Sequence, residues 1–203
     1  AKLNIPLKDT IKEKTGDVII ALDSTGIKVT NRGEWMREKW KGHRGWIKVH
    51  IAVDVNTKEI VALEVTDETT RDSEKFRDLI KDAEENVGTG KLKRVLGDGA
   101  YDTKDNFNLL EMKGIESGIK IRKDASTRAR GSPYRARCVR ELRQLGYERW
   151  KEKTDYGKRW ASEATFSSVK RINGETVRAS SREGMFREEK MKFIFYNMLL
   201  NFA

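Results

Sequence analysis

Four ionic or aromatic side chains recur at helical spacing in the stretch YGKRWASEATFSSVK, residues 156–170. They are Tyr156, Arg159, Glu163 and Lys170, separated by three, four and seven residues. Because each residue of an α-helix advances about 100°, all four lie within about 60° on one helix face. An Arg–Glu pair at i, i+4 is also typical of a solvated face. That simpler interpretation does not explain why one carboxylate lies among two cations and an aromatic ring. This combination favours a metal ligand flanked by phosphate-binding side chains.

Two aspartates stand apart from the other acidic residues because each closes an apolar segment. Asp23 ends the run VIIAL, and Asp98 follows RVLG with a glycine on either side. A carboxylate at the end of a buried strand is unfavourable unless it is paired or binds a metal ion. Either aspartate alone is typical of a turn or a helix cap. With Glu163 they put carboxylates on three different elements, which favours a site for Mg²⁺ or Mn²⁺.

The elements that must position these side chains alternate between strands and helices. We predict an α/β fold with a mixed five-stranded sheet (βββαβαβ), helices on both faces and a basic insertion before the helix that carries Glu163. Strands are expected near residues 18–23, 46–54, 59–65, 92–96 and 118–122, and helices near residues 72–87 and 102–113. Alternation of apolar and polar residues identifies the second and third strands as a hairpin. Apolar residues at i, i+3, i+4 and i+7 identify the first helix, which Asp72 or Ser73 is expected to cap.

The chain is expected to form one domain. Residues 1–16 are interpreted as a lead-in segment, residues 17–203 as a single catalytic domain, and residues 120–157 as its basic insertion. A length of 203 residues is enough to bury a core. Trp35 and Trp40, which lie among basic residues, are compatible with a DNA-contacting loop or with aromatic side chains that cover the core.

Composition excludes several classes of protein. Cys138 is the single cysteine, which rules out an internal disulfide and a multi-cysteine zinc site. No apolar run reaches the length of a membrane span, and no secretory pattern opens the sequence. We therefore expect a cytoplasmic protein with no membrane partner.

The net charge of +10 is concentrated in one block. Residues 120–159 carry 14 basic and 5 acidic groups, a net charge of +9, whereas residues 1–119 carry 21 and 22. A local excess of this size is typical of a surface that binds a polyanion such as DNA. The arginines expected to contact DNA from this block are Arg135, Arg137 and Arg140.

Taken together, these motifs resemble the DDE transposases of prokaryotic insertion sequences, in the group marked by a Y-(2)-R-(3)-E-(6)-K motif. Tyr156, Arg159, Glu163 and Lys170 keep every spacing of that motif. The first aspartate matches at ALDSTG and the second at LGDGAYD, and the likeness extends over roughly residues 17–202. A short piece such as GDG is a weak signal, whereas the four-residue motif in register with both aspartates is a specific one.

The resemblance implies an RNase H-like fold and a transposase catalytic domain that cuts DNA at the ends of a mobile element and joins it to a target. It implies that Asp23, Asp98 and Glu163 bind a pair of Mg²⁺ or Mn²⁺ ions, which assist an in-line displacement at phosphorus. Arg159 and Lys170 would hold phosphates, and Tyr156 would stack on a base near the cut end. The implied partners are double-stranded DNA, both terminal inverted repeats and target, and a second copy of the chain in a nucleoid-associated complex.

Two other interpretations compete with a transposase. Another RNase H-like nuclease, such as a resolvase, would share the carboxylates but would not need the Tyr-Arg-Glu-Lys face. A decayed transposase that only binds DNA would keep the basic block and lose carboxylates, and all three are present here.

Overall fold

The computed structural model describes residues 5–29 and 45–202. Trp35 and Trp40 lie outside the described residues, so both interpretations of their segment remain predictions. The strands are β1 (Val18–Val29), β2 (Trp46–Asp54), β3 (Ile60–Asp67), β4 (Leu92–Gly97), β5 (Glu116–Ile119) and β6 (Thr176–Val177). The α-helices are α1 (Asp72–Val87), α2 (Lys104–Lys113), α3 (Pro133–Leu145), α4 (Tyr147–Lys153), α5 (Trp160–Asn173) and α6 (Arg182–Phe202). Short 3₁₀ segments cover Leu7–Thr10, Gly99–Tyr101 and Tyr156–Arg159.

The sheet has the strand order β3-β2-β1-β4-β5, and β6 pairs with the far end of β1. The first three strands are antiparallel, whereas β4 and β5 run parallel to β1. This topology confirms the five predicted strands and their chain order. The prediction missed β6, because two residues carry no recognisable periodicity. The fifth strand lies at residues 116–119, two residues earlier than expected.

Strand β1 is longer than predicted. It does not end at Asp23 but continues to Val29, because this half pairs with β2 in antiparallel register. Asp, Ser and Gly favour turns in isolation, and pairing with a neighbouring strand overrides that preference. The prediction that Asp23 closes a strand is therefore wrong.

Side chains from β1 alternate between two cores, one on each face of the sheet. Ile20 and Leu22 pack with α1, α2 and α3 on one face. Ala21 and Ile27 pack with α5 and α6 on the other face. This arrangement confirms the prediction of helices on both faces. Because successive strand residues point to opposite faces, Asp23 points towards α5 and Ser24 towards α1.

The first two helices have the predicted extents. The predicted apolar face of α1 is buried, namely Phe76, Leu79, Ile80, Ala83 and Val87. Its expected cap is wrong, because Arg71 is the cap position without a side-chain hydrogen bond, and Asp72 contacts Lys48 instead. Thr103 caps α2, which ends at Gly114 in the left-handed conformation that glycine adopts most readily.

The basic insertion is more regular than the sequence suggested, because it holds two helices. Helix α3 follows Ser132 with Pro133 in its first turn, and α4 follows Gly146. The segment that carries the motif is divided, since Tyr156–Arg159 is a 3₁₀ turn and the α-helix begins at Trp160. Tyr156 and Glu163 therefore do not share one continuous α-helical face.

Residues 5–16, predicted to be a lead-in segment, pack against the rest of the domain. The Lys14 ammonium group is buried, 2.8 Å from Asp54 Oδ2 and in contact with Glu59. Asn197 of α6 donates to Thr10 Oγ1 at 3.2 Å. Residues 5–16 thus contact the domain that they precede, and the division predicted at residue 17 stays a prediction. Within the described ranges, no helix is long and apolar enough to cross a membrane.

Candidate active site

Asp23 and Asp98 lie side by side at one edge of the parallel strand pair. Ala21 of β1 pairs with Leu96 of β4, and each aspartate follows two residues later. Neighbouring strands are about 4.8 Å apart, so the register brings the two carboxylates to the same place. The sequence identified both residues, although Asp23 lies within its strand and Asp98 follows the end of its own.

The Asp98 side chain shapes the loop that follows it. Its Oδ1 accepts a hydrogen bond from the backbone N–H of Ala100 at 2.8 Å and caps the 3₁₀ turn Gly99–Tyr101. A Cβ atom at Gly97 would lie 3.0 Å from the ring of Tyr101, so a larger residue there would have to displace this ring. The glycine before Asp98 thus permits close packing of the loop.

Helix α5 packs on the face of the sheet from which the Asp23 side chain projects. Ser162 is fully buried, and its hydroxyl lies within hydrogen-bond distance of Asp23 Oδ2, at 3.2 Å. The guanidinium of Arg159 donates to the same oxygen at 3.5 Å and also contacts Glu163. Because Arg159 bridges Asp23 and Glu163, the first and third predicted carboxylates share one cation.

Burial raises the pKa of Asp23, and the nearby charge of Asp98 raises it further. The backbone N–H of Ser24, Arg159 and Ser162 oppose this shift in pKa without cancelling it. Ionised Asp23 is thus less favourable in the folded protein than in water. Such a carboxylate gains stabilisation from any further cation that reaches it.

The three carboxylates do not form the compact cluster expected from the sequence. No group of three or more His, Cys, Asp or Glu side chains in the described part of the chain is arranged to hold a metal ion. The physical reason is the bridge formed by Arg159, which lies between Glu163 and Asp23. The donor chemistry nevertheless fits Mg²⁺ or Mn²⁺, since one or two carboxylate oxygens are what Mg²⁺ takes from a protein.

Tyr156 is buried, which contradicts the expectation that its ring stacks on a DNA base. Its side chain is 8% exposed and packs against Trp150, with ring centroids 5.1 Å apart. The Arg159 guanidinium lies 5.9 Å from its ring centre. Residues three apart are eclipsed in a 3₁₀ turn, which explains this contact. The Tyr156 ring thus packs against the Arg159 guanidinium and helps to hold its position.

Lys170 lies about two turns after Glu163 on the same face of α5, beside the second half of β1. Its ammonium group donates to Thr25 Oγ1 at 3.0 Å. Arg159 and Lys170 therefore contact β1 at residues 23 and 25, whose side chains share a face of the sheet. The structure brings together Asp23, Asp98, Arg159 and Glu163, and it puts Lys170 next to them.

The three arginines predicted to contact DNA differ in their surroundings. The Arg135 side chain is 16% exposed and forms two hydrogen bonds with buried Asp102. Arg137 is exposed and donates to Glu111 at 2.7 Å. Arg140 is also exposed and donates to the carbonyl of Thr127 at 2.9 Å. Only Arg137 and Arg140 of these three present their guanidinium groups to a partner in solution.

A cleft of about 490 Å³ opens in the insertion beside the Asp98 loop. Its lining combines the basic residues Lys120, Arg122, Lys123 and Arg143 with apolar residues such as Val139 and Leu142. The ring of Tyr147 is 42% exposed in this cleft and stacks on Trp150, with centroids 6.0 Å apart. Tyr147 is thus the exposed aromatic residue of the stack that buries Tyr156.

The sequence reasoning missed three features of the surroundings of Asp23, on both faces of the sheet. Ser162 directly precedes Glu163 but carried no signal of its own, since a serine in a helix is common. On the other face of the sheet, Asp72 lies 2.7 Å from Lys48 Nζ and 3.3 Å from His50 Nδ1. The hydroxyl of Tyr101 is buried and has no hydrogen-bond partner among the described residues. Only tertiary structure brings these residues to the site.

The topology and the position of the carboxylates define the class of protein as an RNase H-like α/β domain. A sequence model described as transposase DDE domain matches residues 14–198. The chain therefore belongs to the transposase DDE domain family. Members of this family generally use divalent metal ions.

Two solved structures are similar to this chain. A chain of the piggyBac transposase synaptic complex with hairpin DNA gives a TM-score of 0.51 at 8% identity, covering 92% of this chain and 47% of that one. A chain of the simian T-cell lymphotropic virus intasome in complex with PP2A regulatory subunit B56 gamma gives a TM-score of 0.37 at 15% identity, covering 74% and 50%. This second superposition is too loose to carry an argument. The chain spans about half the length of both, and the first likeness is one of fold.

Proposed function

We propose that this chain is the catalytic domain of a transposase of a prokaryotic insertion sequence, in the group with the Tyr-Arg-Glu-Lys motif. It cuts DNA at the terminal inverted repeats of the element and joins the 3′-hydroxyl to target DNA. The observation that carries the proposal is the juxtaposition of Asp23 and Asp98 at one sheet edge, faced by Arg159 and Glu163 of the motif. A resolvase would need the carboxylates but not this motif.

Asp23 and Asp98 would hold a divalent ion, and Glu163 would complete the site for a pair of Mg²⁺ or Mn²⁺ ions. When bound, such ions would make a coordinated water more acidic and would stabilise charge on the attacking and leaving oxygens of the scissile phosphate. The raised pKa of Asp23 supports this assignment, because the protein itself does not fully compensate this carboxylate. Glu163 is the most exposed of the three carboxylates, with 57% of its side chain accessible to solvent.

Arg159 and Lys170 bind the DNA backbone in this proposal. Arg159 has a planar guanidinium that can hold two phosphate oxygens, whereas Lys170 acts as a point charge. For Glu163 to ligate metal, Arg159 must release it and turn towards the DNA. Tyr156 supports this movement as a platform under the guanidinium, in place of the base-stacking role expected from the sequence.

The insertion supplies the remaining DNA contacts. Its basic cleft, with Tyr147 on one wall, takes part of a strand near the cut end, and aromatic rings bind bases regardless of sequence. Arg137 and Arg140 contact phosphates further out. The partners are then the element ends, the target DNA of the nucleoid and a second copy of the chain, since two ends must be joined in one event.

The test searches the DNA that flanks the coding region for inverted repeats and then measures cleavage of a labelled duplex that carries one. With Mg²⁺ or Mn²⁺ we expect nicks at the repeat boundary and, with a supercoiled plasmid present, joined products. With Ca²⁺ we expect binding and little cleavage, because its longer bonds suit the reaction poorly. Cleavage that persists in EDTA, or nicking at junctions without preference for the repeat, would contradict the proposal.

A further inference from the structure

The loop that carries Asp98 is held at its far end by a buried carboxylate. The loop begins at Asp98, turns through Gly99–Tyr101 and ends at Asp102. The side chain of Asp102 is fully buried, although it is charged. A buried charge is retained only where several donors compensate it, so the partners of Asp102 determine how this loop is held.

Those partners come from the segment after β5 and from the insertion. The backbone N–H of Arg122 donates to Asp102 Oδ2 at 2.9 Å. Arg135 of α3 donates through Nε to Oδ1 at 2.6 Å and through Nη2 to Oδ2 at 2.9 Å. The Arg122 side chain donates to the Gly99 carbonyl at 3.0 Å, inside the same loop. Arg122 thus binds the loop at two points, near its start at Gly99 and at its end at Asp102.

The geometry at Arg135 is unlike that of a DNA-contacting residue. Two of its donors meet a carboxylate in the parallel arrangement that gives arginine pairs both strength and orientation. Its side chain is 16% exposed, against 56% for Arg137 two residues later on the same helix. Moving Arg135 to a phosphate would leave Asp102 buried and partly uncompensated.

We propose that Arg135 is a positioning residue, which holds Asp102 and thereby sets the Asp98 carboxylate beside Asp23. The role in cleavage rests on the proposed function, whereas the role in holding the loop does not. Helix α3 of the basic insertion then completes the candidate active site, in addition to offering a surface to DNA. Arg135 leaves the set of residues expected to bind DNA directly.

The first readout is hydrogen exchange in the metal-free protein, which requires no activity. Arg135→Ala should raise exchange of the amides of residues 100–102 and Arg122 by about tenfold or more, since hydrogen bonds between charged groups are stronger than neutral ones. Exchange in β1, β2 and β3 should not change. Arg135→Lys keeps the charge but cannot form both hydrogen bonds, so its amide exchange should lie between that of wild type and that of Arg135→Ala. If Arg135→Ala does not fold, Arg135→Lys alone makes the comparison.

The second readout separates positioning from DNA contact. Arg137→Ala should lower the slope of log K against log salt by up to about 0.9, as one lost phosphate contact does. Arg135→Ala should keep the wild-type slope and reduce single-turnover cleavage of bound DNA by about 10–100-fold, as loss of a residue that orients a ligand does.

Two results would overturn the proposal. One is a salt slope for Arg135→Ala that falls as it does for Arg137→Ala, with no change in loop exchange. The other is exchange that rises equally across the whole sheet, which would make Arg135 a general stability residue. A wild-type chain that never cleaves would overturn the proposed function, and the exchange measurement would still decide whether Arg135 holds the loop.

Discussion

Each face of the sheet has a half-buried carboxylate at the same point of β1, and the pKa values of the two are shifted in opposite directions. On the α5 face, burial and Asp98 raise the pKa of Asp23. On the α1 face, burial also disfavours ionised Asp72, but hydrogen bonds from His50, Lys48 and Ser24 outweigh it and bring the pKa of Asp72 well below its usual value. Asp23 and Ser24 are consecutive residues, so this contrast arises within one step of the strand.

The difference separates a structural carboxylate from one available for chemistry. Asp72 has its compensating charges within the fold, as Lys48 lies at 2.7 Å. Asp23 has a guanidinium at 3.5 Å that it shares with Glu163, and a second carboxylate beside it. The donors around Asp72 thus outweigh the effect of its burial, whereas those around Asp23 do not.

The largest effect is expected for cleavage in Asp23→Asn. If Asp23 holds a divalent ion as proposed, its loss should reduce single-turnover cleavage by about 10³-fold or more, since such ions contribute several kcal/mol. DNA affinity measured by titration should remain nearly unchanged. Asp98→Asn should behave in the same way. Cleavage within about tenfold of wild type in either variant would remove that residue from the site.

The next effect is on stability, in Asp72→Asn. Without its carboxylate, Lys48 and His50 lose their common partner, so the free energy of unfolding in urea should fall by about 2–3 kcal/mol, less than for a fully buried pair. The control is Glu85→Gln, which removes an exposed pair with Lys81 at 3.8 Å and should change stability by about 0.5 kcal/mol or less. Equal changes in the free energy of unfolding for the two substitutions would mean that the ion pair of Asp72 with Lys48 adds no more stability than an exposed pair.

A smaller effect is expected for Ser162→Ala. The serine hydroxyl has one proton and two acceptors, Asp23 Oδ2 at 3.2 Å and the Arg159 carbonyl at 2.9 Å. Its contribution to Asp23 is therefore at most one ordinary hydrogen bond of about 1 kcal/mol, or less than about tenfold in cleavage. Ser167→Ala, at an exposed position of α5, is the matched control. A loss as large as that of Asp23→Asn would assign Ser162 a direct role in the chemistry.

The smallest effect is expected in the pH dependence of unfolding of the metal-free protein, compared between variants of Asp23 and Asp72. A raised pKa means that ionised Asp23 disfavours folding, so Asp23→Asn should be more stable than wild type at neutral pH. This advantage should vanish as the pH falls to 3.8, the usual value for aspartate. Asp72→Asn should be less stable at neutral pH, and its deficit should shrink below 3.8, where wild type loses the ionised carboxylate. Differences of the same sign in both variants would contradict the contrast between the faces.

The sequence predicted the parts of this site that depend on local order. Asp98 was identified because glycines flank it after an apolar strand, and α1 because its apolar residues recur at helical spacing. The hairpin of β2 and β3 followed from alternation. Each of these signals lies within about 15 residues, which is the range over which periodicity can be recognised.

The remaining features depend on contacts between distant residues. The extension of β1 past Asp23 requires β2, and the pairing of Arg135 with Asp102 joins residues 33 apart. Tyr156 was assigned to an α-helical face, but its 3₁₀ turn rotates it inwards against Trp150. The composition of a basic block does not distinguish an arginine that is buried from an arginine that contacts DNA.

The docking of residues 5–16 also determines where both ends of the described chain lie. Asn201, near the end of α6, donates to the Thr10 carbonyl at 2.5 Å. Five residues separate Thr10 from Ile5 and span at most about 18 Å. The two ends are thus close enough for a short linker to join them, which makes the domain suitable for circular permutation. New termini opened in the exposed turn at Thr89 and Gly90, which precedes β4, would leave the carboxylate edge at the other end of that strand untouched, and would offer an attachment point for a fused domain on a different part of the surface.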